Sequence, residues 1–259
     1  MKKSLAPLSI AFFLLLASYA FAVPPREFYE LRTYRFKTRE QEERTENYLQ
    51  RALLPALHRA HIKKIGVFKP VETDSTFGKK LIVLIPFGSL DEFEKLTGTL
   101  EKDKQYHADG KEYIDAAFDN PPYTRVEKTI LKAFTGMPNL AVPDLKNPVT
   151  ERVYELRSYE GHTEKISRNK IQMFNAGDEV GLFKRLGFNA VFYAEVVSGS
   201  TMPNLMYLTT FENQTSRDAH WKAFGDDPQW KKLVAMPEYQ HNVSKNVTRF
   251  FRPTTYSDL

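Results

Sequence analysis

Two short stretches hold the side chains best placed to do chemistry. Glu30-Leu31-Arg32-Thr33-Tyr34 and Glu155-Leu156-Arg157-Ser158-Tyr159 each set a carboxylate, a guanidinium and a phenol at alternate positions. Alternation is strand geometry, in which residues i, i+2 and i+4 share one face. A carboxylate and a guanidinium two residues apart on such a face can pair directly or across a seam. Two uses follow. The charges can form an ion-pair lattice that closes and registers packed sheets. Alternatively Glu30, Arg32, Tyr34, Glu155, Arg157 and Tyr159 line a cleft and bind a polar or anionic group, with the two tyrosines as walls or proton donors. Burial shifts pKa values in either case, so perturbed titration alone does not separate the two.

Other chemistry has less support. The chain has no Cys, which removes disulfides, thiolate metal sites and a cysteine nucleophile together. His58 and His61 stand three apart on a helical stretch and could touch one metal. No acidic residue or third histidine lies near them in sequence, so a solvated helix end is the simpler reading. His107, His162, His220 and His241 are scattered without a signature. Trp221 and Trp230 read as core. No Gly-x-Ser-x-Gly elbow, Gly-x-Gly-x-x-Gly turn or phosphate-binding loop occurs, and the expectation is no cofactor and no metal.

The elements that must position these side chains occur twice. Phe28–Tyr34 recurs as Val153–Tyr159 at an offset of 125, Phe87 lines up with Phe211, and Asp103-Lys104-Gln105-Tyr106 lines up with Asp227-Pro228-Gln229-Trp230, both at 124. Each copy reads β-α-β-β-α-β. In the first, the strands are 28–36, 66–72, 80–87 and 125–134. An amphipathic helix spans 40–60, with Pro55 predicting a kink or break. Ser89 with Glu92 forms a capping box for the second helix, and Asn213 takes that place in the second copy. The fold expected is α+β: two tandem ferredoxin-like repeats, 23–136 and 151–259, joined by a Pro-rich linker, 137–150. A lone repeat would leave one apolar sheet face open, and two copies can pack those faces together into an intrachain pseudo-dimeric barrel. Placing Leu31 and Leu156 toward the helices sends the Glu, Arg and Tyr side chains toward the other copy.

Residues 1–22 read as a secretory signal. Lys2 and Lys3 precede an apolar run, and Ala20-Phe21-Ala22 offers small residues for cleavage. The expected destination is periplasmic or secreted, with no stable membrane anchor after cleavage. Basic residues number 37 and acidic 32, and losing Lys2 and Lys3 leaves a surplus of three. That surplus has no basic cluster, so nucleic acid is not an expected partner.

The strand motifs Tyr29–Tyr34 and Tyr154–Tyr159 resemble the opening strand of NIPSNAP domains. Phe211-Glu212-Asn213 followed by Asp227-Pro228-Gln229-Trp230 is similar to a second motif of that family. In the first copy this second motif departs from the pattern, with Lys104 for the proline and Tyr106 for the tryptophan. The resemblance spans nearly all of residues 23–259. It implies the dimeric α/β-barrel superfamily, which includes cofactor-free monooxygenases, haem-degrading enzymes and chlorite dismutases. No motif here transfers a haem ligand or a catalytic residue. Three functions stay open: a binder of a small molecule held between the repeats, a cofactor-free monooxygenase or isomerase, and an interaction module, with a homo-oligomer through exposed strand edges.

Overall fold

The computed structural model describes residues 25–259, so the stretch 1–22, read from sequence as a secretory signal, lies outside the described residues. The first repeat runs β1 (Phe28–Arg35), α1 (Arg39–Tyr48), α2 (Leu54–Arg59), β2 (Gly66–Pro70), β3 (Lys80–Phe87), α3 (Leu90–Lys102), α4 (Lys104–Ile114) and β4 (Arg125–Ala133). The second runs β5 (Val153–Glu160), α5 (Glu164–Asn175), α6 (Glu179–Arg185), β6 (Asn189–Ser198), β7 (Asn204–Phe211), α7 (Gln214–Asp226), α8 (Pro228–Ala235) and β8 (Lys245–Pro253).

The helix boundaries follow local chemistry. Between α1 and α2 the chain widens into a π-helical turn, Leu49–Leu53, and Pro55 then sits in the first turn of α2. The missing proline N–H costs nothing in a first turn, so the helix breaks where the sequence predicts. Ser89 accepts from the Glu92 backbone N–H, and Asn213 does the same for Ser216. Asp103 and Asp227 each cap the shorter helix that follows, α4 and α8.

The eight strands close into one barrel in the order β1-β3-β2-β8-β5-β7-β6-β4. Pairing is antiparallel throughout and runs the full length of β1 and β5, as in Glu30↔Ile85 and Arg32↔Val83 on one side of β1, while β2 pairs with β3 only over Gly66 to Phe68. The seams between repeats are short: Phe68 to Pro70 of β2 pairs with β8, and Ile130 to Ala133 of β4 pairs with β6 across a bulge. Every strand has a neighbour on both sides over part of its length, but beyond the seams Arg125–Thr129 of β4 and Lys245–Arg249 of β8 pair on one side only.

Both faces of the sheet are covered, and the assignment of faces corrects the sequence reading. The barrel interior holds Tyr29, Leu31, Phe68, Leu84, Tyr154 and Phe192, with Leu156 packed against them. Glu30, Arg32, Tyr34, Glu155, Arg157 and Tyr159 instead point outward, under the helices. The residues opposite them on β3, Leu81, Val83 and Ile85, belong to the helix-side core with Leu49 and Leu53. The physical reason is relative dryness. The interior is closed on all sides and takes the apolar face. The helix layer leaves gaps to solvent and can hold charge. The segment 137–150 holds no helix or strand, and it does not simply span: Leu140 and Leu145 are buried in the barrel-core cluster.

Candidate functional site

The strand motif is built alike in both repeats and then covered differently. In the first repeat, Arg32 donates from Nε to Glu30 Oε1 at 2.7 Å and from Nη2 to Oε2 at 3.2 Å. Its Nη1 donates to the Tyr34 hydroxyl at 3.3 Å. Glu30 is 1% exposed, and the Lys128 ammonium stands 3.5 Å from its Oε1. In the second repeat, Arg157 donates to Glu155 at 2.6 Å and to the Tyr159 hydroxyl at 3.1 Å. Tyr159 and Tyr207 share a hydrogen bond of 2.8 Å.

The electrostatics match the geometry. Burial alone would raise the Glu30 carboxyl. The Arg32 guanidinium and the Lys128 ammonium outweigh it and hold the group below the ordinary range. Burial likewise opposes ionisation of Glu155, and Arg217, Arg157 and Trp221 together hold its carboxyl low. Both carboxylates are therefore ionised at neutral pH and engaged with cations.

The helix above each motif makes the difference. In the second repeat α7 supplies Arg217, which donates to Glu155 from Nε at 2.8 Å and from Nη2 at 3.0 Å. It also supplies Trp221, whose Nε1 donates to Glu155 Oε2 at 2.8 Å. The Trp221 ring lies over Arg157, with 3.8 Å from the guanidinium carbon to the ring centroid. At the offset of 124, the matching positions on α3 are Phe93 and Thr97. Neither donates to Glu30. A cavity of about 370 Å³ opens there, between the sheet and helices α3 and α4. Glu30, Arg32 and Lys128 line one side; Tyr48, Phe93 and Ile114 are among the apolar lining. Thr97, Tyr106 and His107 also face it.

The six residues named from sequence thus form two separate clusters rather than one shared chamber. Glu30 and Arg32 face a cavity. Tyr34 stands behind Arg32 and is not among the lining side chains. Glu155, Arg157 and Tyr159 are engaged within their own repeat. Sequence reading missed Thr97, Phe93 and Lys128, and found no signature for His107. The signal for the first two was present: the repeat register that aligns Phe87 with Phe211 also sets Thr97 against Trp221. His58 pairs with Asp258 at 2.9 Å. Among the described residues, no group of three or more His, Asp or Glu is placed to hold a metal ion. No described helix is long and apolar enough to cross a membrane.

A closed barrel of two tandem ferredoxin-like repeats, each with a Glu-Arg-Tyr strand beneath its helices, defines the fold class. The NIPSNAP family model matches the chain twice, over residues 29–134 and 154–258, and the chain belongs to that family. Solved structures share the barrel. A presumptive monooxygenase from Lactobacillus acidophilus is 9% identical with a TM-score of 0.57, covering 88% of this chain and 94% of its own. An anthrone oxidase-like protein is 12% identical with a TM-score of 0.52, covering 90% of this chain and 93% of its own. A NIPSNAP-like domain protein from Burkholderia xenovorans is 15% identical with a TM-score of 0.38, covering 41% of this chain and 89% of its own. At these identities the likeness of the first two speaks to fold alone. No curated protein sequence matches.

Proposed function

We propose that this protein binds a small molecule in the cavity of its first repeat, over the Glu30–Arg32 pair. One observation carries the reading. The same ion pair is sealed by Arg217 and Trp221 in the second repeat, and in the first it is left facing about 370 Å³ of space. That volume lies within the roughly 300–1,000 Å³ range of small-molecule sites, and an apolar wall with a few convergent polar groups is their usual character. Arg32 uses three N–H groups on Glu30 and Tyr34, which leaves donors for a ligand.

The test is a plug copied from the second repeat. Thr97→Trp places an indole where Trp221 sits in the other copy. Native mass spectrometry of the purified protein is expected to show an adduct that the variant lacks, and a fragment library is expected to shift the melting of the wild type alone. Identical adducts and identical melting shifts in the two proteins overturn the reading.

Catalysis in the same cavity is a second reading, supported by His107, which lines it and whose Nε2 lies 3.1 Å from the Glu101 carbonyl oxygen. Structural neighbours described as a presumptive monooxygenase and an anthrone oxidase-like protein are consistent with it. A His107→Ala variant that binds a ligand normally but no longer transforms it would favour an enzyme. Equal conversion by both proteins would count against His107 as a base.

A further inference from the structure

The second repeat carries, within its own chain, a stand-in for the molecule that the first repeat lacks. Trp221 is a planar aromatic ring in the space above the strand motif. It makes two directional contacts there: its ring covers the Arg157 guanidinium at 3.8 Å, and its Nε1–H donates to Glu155 Oε2 at 2.8 Å. Both receptors for those contacts are duplicated in the first repeat as Arg32 and Glu30, with the same mutual pairing. The donor is not duplicated, because Thr97 occupies the Trp221 position and is exposed at the cavity.

The charge balance around the two carboxylates supports the comparison. In the second repeat a second cation, Arg217, sits on Glu155. In the first repeat that position is Phe93, and a second cation arrives from β4 instead, as Lys128 beside Glu30. Arg32 is paired across the sheet with Lys128, whereas Arg157 is paired with Thr248. Each carboxylate therefore keeps two cationic neighbours, and the difference that remains is the ring. Glu30 Oε2 accepts only the longer of the two Arg32 bonds, at 3.2 Å. A carboxylate oxygen with that load keeps acceptor capacity.

We infer that the first-repeat cavity takes a planar aromatic ligand with an in-plane N–H or O–H donor, stacked on Arg32 and donating to Glu30. This rests on the small-molecule reading given above and narrows it to a chemical class. The stacking uses the attraction between a guanidinium and an aromatic face. Phe93, Tyr48 and Ile114 supply apolar walls for the ring's remaining surface. The cavity is larger than one indole needs, so fused ring systems of two or more rings fit the class.

The test titrates indole, N-methylindole and cyclohexanol into three proteins: wild type, Thr97→Trp and Trp221→Gly. Binding is read by calorimetry and by saturation-transfer NMR on the probe. Wild type is expected to bind indole at one site, with N-methylindole weaker by roughly ten-fold or more because one hydrogen bond to a charged acceptor is lost. Cyclohexanol is expected not to bind. Thr97→Trp is expected to abolish indole binding while melting as a folded protein. Trp221→Gly, if folded, is expected to show a second indole site in the second repeat. If wild type ignores indole but holds some other adduct that Thr97→Trp excludes, the aromatic class is overturned and the cavity reading stands. If Thr97→Trp changes neither indole binding nor adduct, both are overturned. Equal affinities for indole and N-methylindole overturn the donor contact to Glu30.

Discussion

Glu155 shows what a buried carboxylate needs in order to stay ionised. It accepts from Arg157, from Arg217 twice and from Trp221, and its pKa lies below the ordinary range although burial works the other way. A carboxyl with a lowered folded-state pKa contributes stability above the unfolded value of about 4.3, and that stability is lost as pH falls through the folded value. Glu30 has the same sign with fewer donors. Urea unfolding between about pH 3 and 6 is therefore expected to lose stability on acidification, and Glu155→Gln is expected to flatten that limb. An unchanged slope would show that Glu155 does not titrate differently in the folded chain. At neutral pH the same variant leaves Arg157 and Arg217 partly uncompensated, a change expected to cost about 3–5 kcal/mol. The residue types at these positions were legible in the sequence; the face they occupy was not. Alternation groups Glu30 with Arg32 and Tyr34 but does not say which side is drier, and Leu31 could satisfy either apolar environment. The run Leu81–Phe87 of β3, apolar throughout, was the clue that both faces are covered.

At the scale of elements, the two repeats share strands and differ in how their helices are held. In the second repeat Lys170 of α5 donates to Glu179 of α6 at 2.8 Å, with both side chains buried. The Lys170 ammonium also lies 4.8 Å from the Phe174 ring centroid and 5.7 Å from that of Trp230. Even so, burial leaves the Glu179 carboxyl above its usual range, outweighing the pull of Lys170. Such a pair tends to fix an arrangement more than to stabilise it. Glu179→Gln alone is expected to destabilise by about 3–5 kcal/mol, while the double variant Lys170→Met/Glu179→Leu is expected to fall near wild type or above it. Chemical denaturation of the three proteins, wild type included, checks this, and a double variant as unstable as the single would show the pair to be a net stabiliser. At the matching positions the first repeat has Thr45 and Leu54, so its helices pack without this pair. Helix breaks were readable from Pro55 and from the Asp227-Pro228 cap, because proline and capping act locally. The cavity was not readable, because it depends on which α3 residue faces which strand residue across the layer. Only the repeat register, once joined to the correct sheet face, brings Thr97 over Arg32.

For the whole molecule, the question is what binds two repeats into one barrel, given that their seams are short. The answer includes the chain after β8, which crosses to the first repeat and runs along β2. Thr254 N–H donates to the Val67 carbonyl at 2.9 Å, Val67 N–H to Ser257 Oγ at 3.0 Å, and Ile65 N–H to Asp258 Oδ2 at 2.9 Å. Tyr256 donates to Glu46 at 3.3 Å, and Leu259 is buried in the barrel-core cluster with Phe68. Removing residues 254–259 strips the buried Ile65 and Val67 backbone donors of their partners, at about 1–3 kcal/mol each. It also exposes the surface under Leu259, worth about 1.5–3 kcal/mol. For a chain of this size each kcal/mol shifts Tm by about 2–4 °C, so truncation after Pro253 is expected to lower Tm on the order of 10 °C. Because β2 pairs with β8 and β4 with β6, neither sheet half can open without exposing the shared interior. Calorimetry is therefore expected to show one transition in both proteins, with matching calorimetric and van't Hoff enthalpies. Two resolved transitions in the full chain would mean that each repeat keeps its own core when the barrel opens. The helix-side clusters, rather than closure of the barrel, would then carry the stability.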